Sequence, residues 1–460
     1  MPTTAPSRPA ALRLVLNLLM LLATIAPLAI LALSGWLAFI RPEILPLASA
    51  YAAKAVCSNV FLAKRDRDAV IRTDVRVAEG GITNLLAIDV DTASRRVDAA
   101  VLGLFATRHA AYAEGRGCTL VAKDEAPPPA TTQPLPPAPD ALWPAGEAVH
   151  LSTNRRLQAA LHDAALQGPG MRAIVVVHDG RIIGETYGEG FTAATPLLGW
   201  SMTKTVNAAL VGLAIREGRL ALDQKNLFPQ WAADARAEIS IADLMAMSSG
   251  LQFNEDHGLI NDAARMEFLV RDAAAFARDR ALVAPPGSKF HYGSGSAVLL
   301  ARIWQNAVGA AAQSFPRERL FTPLGMTSAV LEADPSGTFL GEAFLYATAH
   351  DWARFGEFLR LGGAWNGQQR LPPGFVDDMR SPAPTSDDGH GPVYGRGQVW
   401  LAKGQGFDLP DDTFMLEGHL RQVIAIIPSR KLVILRMGLT REDIGYSTAK
   451  LLSTIAAASP

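Results

Sequence analysis

An excess of charge of either sign is missing from this sequence: 43 lysines and arginines stand against 44 aspartates and glutamates, a formal net charge of −1. No block of basic residues breaks the balance. A chain without a basic footprint lacks the term that dominates affinity for a phosphate backbone, which argues against nucleic-acid binding as its main task. Cysteine is almost absent, with only Cys57 and Cys118 in 460 residues. No spacing of His, Cys, Asp and Glu suggests a zinc site, so neither a metal nor an organic cofactor is expected. Internal repeats are lacking as well.

Apolar residues are plentiful. They make up 49% of the chain against 19% charged, enough for a packed core in one large domain or two to three ordinary ones. Arginine outnumbers lysine and alanine is abundant, as in high-GC bacterial genomes. Leu12 to Ile40 carries no charge after Arg13, and about 20 such residues suffice to cross a bilayer as a helix. Arg8 and Arg13 precede the run, and Trp36 lies near its far end. The positive-inside rule then predicts a short cytoplasmic tail (residues 1–11) and a single transmembrane helix (12–40). It sets the remainder outside the inner membrane of a bacterium. A cleaved signal peptide with Ala48-Ser49-Ala50 as its cleavage site is the competing reading, disfavoured by the length of the run and by Arg41 and Glu43.

Residues 41–123 read as a small extracytoplasmic region, helical over Asp68 to Val77 and strand-like over Cys118 to Val121. Both cysteines fall there. An oxidising compartment favours a Cys57–Cys118 disulfide over two buried free thiols, with a contribution on the order of 4 kcal/mol. Residues 124–149 hold Pro127-Pro128-Pro129, Pro134, Pro136, Pro137 and Pro139, the composition of an extended linker.

A third region, 150–460, opens with helical periodicity over Asn154 to Leu166. The β-branched run Arg172 to His178 is then joined to Arg181 to Tyr187 by Asp179-Gly180, a hairpin signal. A helix opened by Ser201 is predicted to stop at Gly218. Strands return at Gln422 to Ile427 and Lys431 to Met437, before a last helix over Arg441 to Ala457. This order predicts an α+β fold: an antiparallel sheet flanked by helices, with an inserted, mostly helical domain.

Within Gly199-Trp200-Ser201-Met202-Thr203-Lys204, a hydroxyl and an amine lie three residues apart at the start of a helix, on one face. A serine becomes a nucleophile when a neighbouring base accepts its proton, and a lysine held neutral is such a base. The helix start offers unpaired N–H groups and a positive dipole end, which favour developing negative charge. Downstream follow Asp243-Leu244-Met245-x-Met247-Ser248-Ser249-Gly250-Leu251, Pro286-Gly287-x-x-Phe290-x-Tyr292-x-Ser294 and Leu320-Phe321-x-Pro323-Leu324-Gly325-Met326. In this order the segments resemble the serine hydrolase family of class C β-lactamases, penicillin-binding D,D-peptidases, esterases and 6-aminohexanoate-dimer hydrolases.

The resemblance implies an acyl-enzyme on Ser201, with Lys204 and Tyr292 sharing a proton and the amine biasing the phenol toward phenolate. Ser294 would join that network. The family's third motif falls on Leu416-Glu417-Gly418-His419, where Gly418 and His419 would flank the oxyanion site. β-Lactamases place a cation there to meet a carboxylate, whereas this chain has Glu417, which would repel an anion unless His419 or Arg421 compensates. A small-molecule linear amide or ester is therefore expected as substrate. A β-lactamase or D,D-peptidase acting on penicillins or peptidoglycan, and a non-catalytic ligand-binding protein, are the alternatives. Asn254-Glu255-Asp256-His257 reads as a polar loop at the cleft rim, and Trp200, Trp352, Trp365 and Trp400 read as packing. Oligomeric state is not legible.

Overall fold

The computed structural model describes residues 8–40, 42–76, 81–130, 140–255, 260–384 and 393–460. Residues 1–7 of the expected tail, the prolines at 134, 136, 137 and 139, and Asp256 with His257 lie outside them. Helix α1 (Arg8–Ile40) covers the uncharged run as one 33-residue helix with Pro27 inside. From Leu12 to Leu28 its leucines are 48% to 73% exposed.

Helix α2 (Ile44–Cys57) follows at once and continues as a π-turn over Ser58–Leu62. Among the described residues the run Ile44–Leu62 is long and apolar enough to cross a membrane, but 78% of it is buried inside the protein. It is the core helix of a small module. Against it packs the antiparallel meander β1 (Leu86–Asp91), β2 (Arg96–Val101), β3 (Phe105–Ala113) and β4 (Gly117–Val121). Helical turns span Arg67–Arg76, and a disulfide joins Cys57 to Cys118, tying the end of α2 to β4. The helical and strand-like patches thus lie where the sequence places them, while α2 and the first three strands were not anticipated.

Residues 140–149 dock on the third region. Trp143 is buried, and Arg354 binds the carbonyls of Pro144 and Gly146 and the carboxylate of Glu147. Helix α3 (Arg155–His162) is capped by Asn154. Strands β5 (Met171–His178) and β6 (Arg181–Tyr187) turn through Asp179 and Gly180, both at positive φ, as an Asp-Gly hairpin requires. Helix α4 (Thr203–Arg216) follows the Ser201 turn and ends before Gly218 at φ 70°. It is buried on every side from Thr203 to Ala214, including the polar Thr203, Lys204, Thr205 and Asn207 of its first turns.

Helices α5 (Ser294–Val308) and α6 (Ala349–Arg360) complete the helical block. The chain then returns to the sheet with β7 (Trp400–Leu401), β8 (Phe414–Gly418), β9 (Gln422–Ile427) and β10 (Leu432–Gly438), and ends in α7 (Thr448–Ala458). This last helix starts later than the periodicity predicts. Glu442–Ile444 form a 3-10 turn, and Ser447 caps α7 by accepting from the Ala449 N–H.

The six-stranded antiparallel sheet runs β7-β8-β9-β10-β5-β6. One face is covered by α6, where Gly356 meets Val433 and Ile424, and the other by α3 and α7. Both faces being covered, β9 and β10 are buried at every position and are apolar but for Gln422 and Arg436.

Candidate active site

A single turn of 3-10 helix, Trp200–Met202, carries Ser201 into α4. Trp200 has φ 48°, a left-handed conformation that a bulky residue adopts at a cost of about 1–3 kcal/mol and that clusters at working sites. Gly199 and Gly418 explain the tight packing here. A Cβ on Gly199 would strike the Trp352 ring at 2.1 Å, and one on Gly418 would strike the Gly199 carbonyl oxygen at 2.4 Å. β8 is thereby pressed against the Ser201 turn. The turn after β8 places Leu420 and Arg421 in succession at positive φ, re-aiming His419 so that its ring meets the Trp200 ring edge-on at 5.4 Å.

Lys204 Nζ donates to Ser201 Oγ at 2.9 Å and to the Glu342 carbonyl at 3.0 Å. The Tyr292 hydroxyl also hydrogen-bonds Ser201, and the Lys204 amine lies 5.0 Å from the centre of the Tyr292 ring. Tyr292 is held by stacking on Trp400 (5.6 Å) and by the edge of Tyr394 (6.0 Å). The three residues singled out in the sequence therefore meet at one point.

Burial sets the charge state. It lowers the Lys204 pKa from the ordinary lysine value, against the opposing pull of Glu255, Glu342 and Glu267. It pushes the Tyr292 phenol well above the usual tyrosine value, and Glu255 adds to the rise. Burial thus works against the expected bias of Tyr292 toward phenolate, since it favours the neutral amine and the neutral phenol. Burial likewise raises Glu342 to about 8 and Glu267 well above the carboxylate range. Both Glu342 carboxyl oxygens are buried without a hydrogen-bond partner. Lys204 thus sits among acids that burial also drives toward their neutral forms.

Ser294 departs from its expected place. It opens α5, and both its N–H (2.6 Å) and its hydroxyl (2.7 Å) donate to Glu255, not to the Lys204–Tyr292 pair. Glu255, read from sequence as part of a polar loop, is instead the carboxylate that fixes the start of α5. Glu267 and Glu342 carried no sequence signal at all. Ser201, Tyr292, Ser294, Glu255, Glu417, Gly418 and His419 line one cavity of about 730 Å³. The Glu417 pKa is raised by burial to about 7, the charge of Arg421 opposing the rise.

An antiparallel sheet backed by helices, with Ser-x-x-Lys and a tyrosine converging at its edge, defines a beta-lactamase-fold hydrolase. Residues 157–443, well over half of the chain, match the Beta-lactamase family model, and the chain belongs to that family. Among solved structures it is similar to a protein assigned as a 6-aminohexanoate-dimer hydrolase from Bacillus anthracis. The identity is 24% over 62% of this chain and 79% of that one, with a TM-score of 0.53. It is similar also to a penicillin-binding protein homologue from Caulobacter crescentus, with 17% identity, 68% and 98% of the two chains and a TM-score of 0.53. EstCE1, a hydrolase with promiscuous acyltransferase activity, gives 17%, 66% and 97%, and 0.53. At these identities the likeness is one of fold. No curated protein sequence matches the chain.

Proposed function

We propose that the protein is a serine hydrolase that cleaves an amide or ester through an acyl-enzyme on Ser201, anchored in a membrane by α1. The 2.9 Å contact between the buried Lys204 amine and Ser201 Oγ carries this reading. Neutral Lys204 accepts the serine proton as Oγ attacks the substrate carbonyl. Collapse of the tetrahedral adduct breaks the C–O or C–N bond, and the leaving group departs with a proton passed through Lys204 and Tyr292. Water then attacks the acyl-serine, releasing the acid and restoring the hydroxyl. Gly418 and His419, pressed beside the Ser201 turn, suit the strand side of an oxyanion site.

Glu417 stands where a carboxylate-binding cation would be needed, and this favours a linear, non-anionic amide or ester over a penicillin. The anchor is supported by the exposed apolar surface of α1, whose 33 residues extend about 50 Å against a bilayer core of about 30 Å. Cleavage after Ala50 would cut α2 in half, which favours a retained segment. A fluorophosphonate probe should label the protein and fail on Ser201→Ala, and p-nitrophenyl esters should be turned over in preference to nitrocefin. Efficient nitrocefin turnover without esterase activity would overturn the substrate assignment. Protease accessibility in spheroplasts tests the outward orientation.

A further inference from the structure

The cavity around Ser201 is not enclosed by the family domain alone. Helix α2 belongs to the small module, outside residues 157–443, yet Ile44, Leu47, Ala48 and Tyr51 line the same cavity. Their spacing of i, i+3, i+4 and i+7 is one face of a helix. That face is apolar except for a phenol whose hydroxyl already donates to the Asp74 carbonyl at 2.9 Å. From it an aromatic path leads to the nucleophile. Tyr51 meets Phe268 edge-on at 5.6 Å, Phe268 meets Phe344 at 6.0 Å, and Phe344 meets Trp200 at 5.9 Å.

The wall is also fixed in place. Glu43, just before α2, binds Arg265 on the helix Asp262–Phe268, which lines the cavity through Ala263, Ala264, Glu267 and Phe268 (2.6 and 2.9 Å). The polar lining is mainly acidic, with Glu255, Glu267 and Glu417, and Arg441 is paired with Asp443. Glu255 and Glu417, where ionised, oppose an anionic head group, while burial drives Glu267 toward its neutral form.

We propose that the cavity takes a neutral or cationic ester or amide whose aliphatic chain lies along the α2 face. The small module is then a specificity-determining part of the hydrolase. This rests on the acyl-enzyme reading for the bond broken and goes beyond it by naming the substrate class. Ile44 follows the end of α1 by four residues, a reach of about 14 Å. The chain therefore comes either from a bilayer beside α1 or from a free amphiphile.

The test uses the full chain in lipid nanodiscs, with p-nitrophenyl acetate and octanoate and with active sites counted by fluorophosphonate labelling. Wild type should favour octanoate in kcat/KM. Ile44→Ser, at a half-buried position, and Leu47→Ala should each lower the octanoate-to-acetate ratio about tenfold. An unchanged ratio in both variants overturns the proposal while leaving the acyl-enzyme intact. Loss of labelling specificity for Ser201 would overturn the reading beneath it instead. Cleavage of a palmitoyl ester retained in the bilayer, with the same dependence on Ile44, upholds the wall with a membrane source. Cleavage of octanoate alone upholds it with a free amphiphile.

Discussion

Lys54 and Lys204 are both nearly sealed from solvent, 2% and 1% exposed, and each amine lies over an aromatic ring, Phe344 at 4.3 Å and Tyr292 at 5.0 Å. Their partners differ. Lys54, on α2, pairs at 2.6 Å with the fully buried Glu332 of the hydrolase domain. Glu332 also accepts from Ser58 Oγ and from the Cys118 N–H, both at 2.7 Å. Among the described residues no carboxylate lies within ion-pairing reach of Lys204, whose contacts are a hydroxyl and a carbonyl. Burial with a matched charge makes a joint between module and domain; burial without one suits the base proposed for Ser201.

The sharpest break between the two comes from replacing each lysine by methionine. Lys204→Met should lower kcat/KM for p-nitrophenyl acetate at least about a thousandfold, the range expected on losing a positioned base. Its melting temperature should hold or rise, because no charged partner is orphaned. In wild type kcat/KM should climb with pH as Lys204 loses its proton, and level off below the range of an ordinary amine. Lys54→Met should instead cost about 3–5 kcal/mol in stability, since Glu332 stays buried without its counter-charge. Lys54→Met with Glu332→Leu should recover much of that loss in thermal melts. Equal losses of melting temperature in the two lysine variants would dissolve the contrast.

His350 offers an intermediate case, a buried cation at another joint. It bonds Glu147 of the docked segment and Glu185 of β6, each at 2.7 Å. Burial alone would lower its pKa, but the hydrogen bonds to Glu147 and Glu185 raise it from 6.5 to about 9. A pKa raised in the folded state means stability fully present below about 6.5 and lost as pH rises through about 9. Glu147 is half exposed, so the loss is at most on the order of 3 kcal/mol. Thermal melts across that window should show the decline in wild type, and His350→Gln should flatten it.

The same contrast explains what the sequence made legible. Ser201, Lys204 and Tyr292 sit in short motifs, and the hairpin at Asp179-Gly180 and the strands from Gln422 declare themselves by local chemistry. The module did not. Its strands β1 to β3 mix small and charged residues, as in Arg96–Val101, and α2 directly follows a longer apolar run that masks it. Glu255 bonds Ser294 across 39 residues and Lys54 meets Glu332 across 278, separations that no periodicity encodes. The motif brings Tyr292 beside Ser201 but carries no sign of its desolvation, which belongs to the packed site.

Glu417 gives the smallest and most discriminating test of how burial sets charge in the cavity. Its carboxyl, half-buried on β8, titrates near 7 because burial outweighs the attraction of Arg421. It differs from Lys204 in degree: desolvation holds it at the edge of ionisation, where pH decides. Below that value it is neutral and does not oppose an anionic substrate; above it a negative charge faces the cavity. The kcat/KM ratio of p-nitrophenyl acetate to the p-nitrophenyl half-ester of succinate should therefore rise about fivefold between pH 6 and 8, roughly 1 kcal/mol of repulsion. Taking the ratio cancels the pH dependence that Lys204 imposes on both substrates. Glu417→Gln should hold the ratio at its acidic value throughout, whereas a ratio that still rises in this variant would place the titrating group elsewhere in the cavity, with Glu255 and Glu267 as the next to replace.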